Sequence, residues 1–297
     1  MIRDGRHAIL LRPQIANTLA KEICGEARRV LDAEMALMPT GRVRLAMPPA
    51  LLPDRPEPES DALAAPARKV DAFLLDRRCV TNAAYQRFVN AGGYDRDRWW
   101  DEAALPALFG FVDRTGQPAP RFWKNGRHPP EEARLPVVGV SWFEAAAYAR
   151  FVGKRLPSDG EWVRAAAWPI VTDDGYLSER RFPWGNEFSA RRANTGVYGA
   201  GQLADVDAFP AGEGVGGVRQ LCGNAWEWTA GRFGRFPSES SNYELIGRWM
   251  SLRGGAFDTY FENQVTCQFQ SGDSPLARRH NVSFRCALSL CDVQNQP

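Results

Sequence analysis

The chain is predicted to fold as an irregular, loop-rich α+β domain behind an N-terminal helical extension. Two capping boxes close together in mid-chain, short alternating runs near the C-terminus, and a Trp-, Gly- and Pro-rich texture without period around them lead there. A chain of 297 residues buries a substantial core, and 44% hydrophobic, 11% aromatic and 24% charged residues describe a globular protein. The net charge of +2 supplies no global attraction to nucleic acid or to a membrane surface, so neither partner is expected.

Residues 1–46 are read as the extension. Its apolar run Ala8 to Leu11 is too short for a signal core or a membrane span. From Gln14 to Leu37, residues Ile15, Leu19, Ile23, Ala27, Val30 and Leu31 recur at near-helical spacing, which predicts one amphipathic helix that docks on a partner protein or on the domain itself. Residues 47–67 hold six prolines and several acids and read as a surface linker. The main domain is placed at 68–291, with a tail at 292–297.

In the domain, KVDAFLLD predicts a strand, and Thr81 caps a helix that Gly92 and Gly93 stop. Tyr94 to Leu135 has no period and reads as a long ordered loop, since Trp99, Trp100, Phe109, Phe111, Phe122 and Trp123 favour burial. A strand is expected up to Val140. Ser141 with Glu144 then opens a helix that Gly153 closes, and Ser158 with Glu161 opens another. The late runs MSLRGGAF and VSFRCALSL alternate as strands do. Six cysteines are scattered without a CxxC pair, so free thiols and a cytoplasmic location are expected.

Seven segments, VDAFLLDRRCVTNAAYQRFV, PVVGVSWFEAAAYARFVGKRLPSDGEWVRAA, RFPWGNEFSARRANTG, VDAFPAG, LCGNAWEWT, LRGGAF and NVSFRCA, resemble the formylglycine-generating enzyme family, also called sulfatase-modifying factors. The resemblance runs from about Val70 to Ala287 and implies a C-type-lectin-like fold. The family spans copper oxidases, the C-terminal domain of ergothioneine-synthase-type iron enzymes, catalytically silent paralogues and variable binding proteins.

The resemblance implies a structural calcium under GNAWEW, held by Glu227, the carbonyls of Gly223 and Ala225, and the side chain of Gln220. In an extended run Glu227 faces away from Trp226 and Trp228, and a hard cation takes several oxygens. The other reading open to Glu227 is a pair with an arginine. A second family calcium position corresponds to Asn194 and the carbonyl of Thr195, although the segment that completes it is shorter here.

The family's two copper-binding cysteines correspond to Thr259 and Gln264, and the serine of its RGGS motif to Ala256. Neither Thr259 nor Gln264 can replace a soft thiolate. The iron branch draws three histidines from a separate helical domain, whereas His7, His128 and His280 lie far apart in sequence. Copper or iron is therefore not expected within this chain alone. Cys267, near the missing pair, is a candidate catalytic residue, with a buried structural thiol as the alternative. Cys286 pairs in some relatives with a position that is Ala149 here, so that disulfide is not expected.

The same resemblance places a groove along 256–284, where Tyr260, Asn263, Gln264, Gln268, Arg278, Arg279 and Asn281 mix aromatic and adaptable polar groups. Two functions follow. The first is a non-catalytic module that binds a peptide, protein or small molecule in this groove. The alternative is an oxygen-dependent maturation oxidase whose copper or non-haem iron site is altered, or completed by a partner.

Overall fold

In a computed structural model, which describes residues 1–2, 4–45, 67–171, 173, 175–197, 199–234 and 249–293, the chain opens with α1 (His7–Leu10), α2 (Pro13–Ala16) and α3 (Lys21–Glu34). Strand β1 (Met35–Met38) follows directly. The single helix expected over Gln14–Leu37 is thus two helices and a strand. Ala20 takes an extended conformation between the helices, and Met35 turns extended again because MALM pairs antiparallel with a strand of the domain. Ala27 and Leu31 of α3 are fully buried against Leu74 and Leu288, so this helix docks on the domain itself.

Strand β2 (Gly41–Val43) pairs with β3 (Arg68–Val70), and β4 (Phe73–Asp76) lies between β1 and a C-terminal strand. KVDAFLLD is therefore two strands, interrupted at Asp71 and Ala72. Strand β1 of the N-terminal segment shares a sheet with β4 of the domain. The linker expected at 47–67 lies, except for Ala67, outside the described residues, as does the tail from 294.

Thr81 Oγ1 accepts the amide of Ala84 and opens α4 (Asn82–Asn90). Both capping boxes form. Ser141 and Glu144 exchange hydrogen bonds ahead of α5 (Trp142–Phe151), and Ser158 and Glu161 do so ahead of α6 (Asp159–Ala167). Gly153 ends α5 at φ +78°, and a Cβ there would meet Ile9 Cγ1 at 2.4 Å, so only glycine both turns this corner and admits the N-terminal segment. PVVGV makes no strand, only an isolated bridge from Pro136 to Thr81.

The aperiodic stretch buries Trp100, Phe111 and Trp123 in one cluster with α4 and α5. Tyr85 stacks on Tyr148 at 5.2 Å, and Trp100 on Phe111 at 5.7 Å, pairs worth about 0.5–1.5 kcal/mol each beyond burial. Phe109 departs from expectation: it is 95% exposed, on a 3-10 turn that carries its ring away from the cluster.

A short hairpin, β5 (Ile170–Val171) with β6 (Leu177–Ser178), precedes the C-terminal half. There β7 (Trp226–Arg232), β8 (Met250–Arg253), β9 (Ser271–Asp273) and β10 (Val282–Ser283) form a sheet in the order β10-β7-β8-β9, with β10 parallel to β7. Strand β11 (Ala287–Ser289) completes the β1-β4-β11 sheet. Helix α6 presses Trp162 and Val163 into a second core beneath Leu221 and Cys222. No helix among the described residues is long and apolar enough to cross a membrane.

Candidate functional site

Strand β7 presents Trp226, Glu227 and Trp228 alternately. Trp228 is buried and donates its indole N–H to Val140 O. Glu227, on the opposite face, is also fully buried. Its Oε2 accepts Trp162 Nε1 at 2.9 Å and Arg285 Nε at 2.7 Å, and its Oε1 accepts Arg285 Nη2 at 2.7 Å. The tryptophans flank a carboxylate that a buried arginine neutralises.

The turn before β7 needs left-handed backbone at Gln220, Gly223 and Asn224. Asn224 organises it: Oδ1 accepts from Ala204 N and Asn194 Nδ2, while Nδ2 donates to Ala204 O and Gln220 Oε1. Gln220 Nε2 donates to the carbonyls of Asp205 and Ala208, and Gly223 O accepts Ala225 N. Of the expected calcium set Gln220, Gly223, Ala225 and Glu227, both oxygens of Glu227, Gln220 Oε1 and Gly223 O accept N–H donors in this structure. The second set differs: Asn194 Oδ1 and Thr195 Oγ1 are buried without a hydrogen-bond partner among the described residues.

The expected groove separates into exposed and withdrawn residues. Tyr260 and Asn263 are exposed, beside Phe261, and Gln264 is half-buried on the same 3-10 turn. Gln268 donates to Glu179, and Arg279 is exposed on Asp273. Arg278 is not a groove residue. It is buried with Nε 2.8 Å from Glu144 Oε2, and it donates to the carbonyls of Val112 and Ala119, which ties the C-terminal segment to the aromatic loop.

Asn281 Nδ2 bonds both oxygens of Asp258 at 3.0 Å, and His280 Nε2 lies 3.2 Å from Asp258 Oδ2. Asp258, His280, Tyr260 and Asn281 thus gather where the RGGAF loop meets the end of the segment. Asp258 and Asn224 were missed by sequence reasoning. Their signal is only that they are polar residues next to Gly-rich turns, and their partners lie far along the chain.

Cys267 is withdrawn from this surface: it is fully buried in one apolar cluster with Cys222, whose thiol burial pushes well up. Thr259, at one copper position, uses Oγ1 to accept Ala256 N. His7 is buried in the N-terminal segment, His128 packs on Trp123, and His280 faces Asp258. Among the described residues no group of three or more His, Cys, Asp or Glu is placed to hold a metal.

Residues 21–290 match the sulfatase-modifying factor enzyme 1-like domain. The chain belongs to this family. It is 36% identical over 295 residues to a hercynine oxygenase of Mycolicibacterium smegmatis, covering 89% of this chain and 66% of that protein, and so spans just under two-thirds of that relative. It is 32% identical to a formylglycine-generating enzyme of Streptomyces coelicolor over 72% of this chain and 77% of the relative. Among solved structures it resembles PvdO from Pseudomonas aeruginosa, with TM-score 0.56, 21% identity, and 86% and 94% coverage, which shows the shared fold.

These similarities correct the functional expectation. The non-catalytic binding module rested on the absent copper cysteines, yet the match over most of the chain is to a hercynine oxygenase. The oxygen-dependent alternative is favoured over it.

Proposed function

We propose that this chain is the substrate-binding part of an oxygen-dependent enzyme acting on hercynine or a closely related betaine, with its metal completed by histidines of a partner. The 36% identity to a hercynine oxygenase across 89% of the chain carries this reading. The surface agrees chemically. Hercynine is a quaternary ammonium, and such cations are held by aromatic faces and carboxylates. Tyr260 and Phe261 stand exposed beside Asp258, which Asn281 and His280 hold in place. Six free cysteines support a reducing, cytoplasmic setting.

Calorimetric titration of the purified chain with hercynine tests the binding half. Saturable binding that Asp258→Asn abolishes is expected; no heat, or equal heat with the variant, would sink it. Oxygen uptake with hercynine and ferrous iron should appear only when a histidine-bearing partner co-purifies. Uptake by the chain alone would refute the partner-completed metal.

A further inference from the structure

The carboxylate of Asp258 is held in place without help from its histidine. Asn281 Nδ2 donates to both of its oxygens at 3.0 Å, and Asn281 O accepts the amide of Trp226, which fixes the asparagine against β7. His280 Nε2 stands 3.2 Å from Asp258 Oδ2, and its ring meets that of Phe257 edge-on at 5.8 Å. The His280 side chain is 62% exposed, so it exchanges protons directly with solvent.

The other charges around this pair are already matched. On the same segment, Arg279 is spent on Asp273, and Arg278 on Glu144. Across β10, Glu227 of β7 lies opposite Ser283 and is neutralised by Arg285. Gly196, whose Cβ position is 3.1 Å from the carbonyl carbon of Asp258, brings no charge to it. Among the described residues His280 is thus the one ion-pair contact of Asp258.

Two charge states follow from one proton. With a neutral imidazole the cluster presents an uncancelled carboxylate beside Tyr260 and Phe261; with an imidazolium the carboxylate is cancelled and a second cation is repelled. Histidine is the side chain that makes this change between pH 5 and 8.

We propose that His280 is a specificity-determining residue of this site. Neutral, it leaves Asp258 to a quaternary ammonium; protonated, it takes Asp258 for itself and turns the cation away. The inference rests on the betaine-binding reading given above and adds its regulation by pH. Two cations about 6 Å apart in a medium close to water repel enough to change affinity about three- to tenfold. Linkage makes the effect reciprocal, so a bound betaine must lower the proton affinity of His280 by the same factor.

The test combines calorimetry of the full chain from pH 8 to pH 5 with an NMR titration of the His280 ring. Glycine betaine serves as the calorimetric probe because its charge is constant over this range, whereas the imidazole of hercynine titrates within it. Affinity for glycine betaine should fall about three- to tenfold toward pH 5, and His280→Gln should remove the fall. Saturating hercynine should lower the midpoint of the His280 titration by about 0.5–1 pH unit. Hercynine binding that leaves this midpoint unmoved, or a fall in glycine betaine affinity that persists in His280→Gln, overturns the proposal while the betaine reading stands. Absence of hercynine binding at every pH overturns the reading and the proposal together.

Discussion

Arg285 grips Glu227 through both carboxylate oxygens, each at 2.7 Å, where neither side chain reaches solvent. Arg285 also donates to the carbonyls of Asp76 and Arg219, so this one side chain ties β4 and the GNAWEW turn to the start of β11. Removing one partner leaves a buried charge without its counter-ion. Glu227→Gln or Arg285→Met should each lower the unfolding free energy by about 3–5 kcal/mol in urea titration. The double replacement should cost clearly less than the sum.

A second buried pair separates fold from groove. Glu144 accepts from Arg278, from Tyr94 Oη at 2.7 Å and from Ser141 N at 2.8 Å. Ser141→Ala removes only the cap and should cost about 1 kcal/mol. Arg278→Ala should cost several times more, about 3–5 kcal/mol. At a temperature where it remains folded, hercynine binding should be unchanged in Arg278→Ala; a large loss would return Arg278 to the groove.

His7 makes docking of the N-terminal segment depend on pH. Burial first, then Lys154 and Arg87, hold its imidazole down to about 4. A depressed histidine is neutral when folded and binds a proton more readily when released. Its contribution is thus full above about pH 6.5 and is lost as pH falls toward 4, with a ceiling of about 3 kcal/mol. Glu34, whose carboxyl burial pushes up, works in the opposite sense and offsets part of this. The protection factors of α1 amides, corrected for the intrinsic pH dependence of exchange, should fall between pH 6.5 and 4.5, and His7→Gln should flatten that fall.

Thiol chemistry distinguishes surface from core. Cys291 is exposed and Cys24 half-buried, whereas Cys79, Cys222, Cys267 and Cys286 are buried. Burial pushes the Cys79, Cys222 and Cys286 thiols up, which suppresses the reactive thiolate. Iodoacetamide on the native chain should label Cys291 first, Cys24 more slowly and the other four only after unfolding. Rapid labelling of Cys267 would reopen its catalytic candidacy.

Calcium dependence separates the two family positions. The free oxygens at Asn194 and Thr195, and the saturated ones at Glu227, predict that any rise in melting temperature with added calcium persists in Glu227→Gln. Loss of that response in the variant would restore Glu227 as a ligand.

Much of the architecture was legible in local code. The Thr81 cap, the boxes at Ser141 and Ser158, and the stop at Gly153 are short-range signals, because a helix end is decided by hydrogen bonds within three or four residues. The break at Ala20 and the strand at Met35 were not legible, since α3 ends where β1 finds β4, some forty residues away in sequence. Periodicity saw only that the residues were apolar.

The sequence by itself determined the family, the loop-rich α+β class and the absence of the copper thiolates, because ordered motifs and missing side chains are written residue by residue. Only the tertiary structure decided that Glu227 meets Arg285, that Arg278 and Cys267 are core, and that Asp258 stands open with Asn281 and His280. A carboxylate's role depends on which donor arrives first within about 3 Å, and partners separated by tens of residues are brought that close only by the packing of the whole chain.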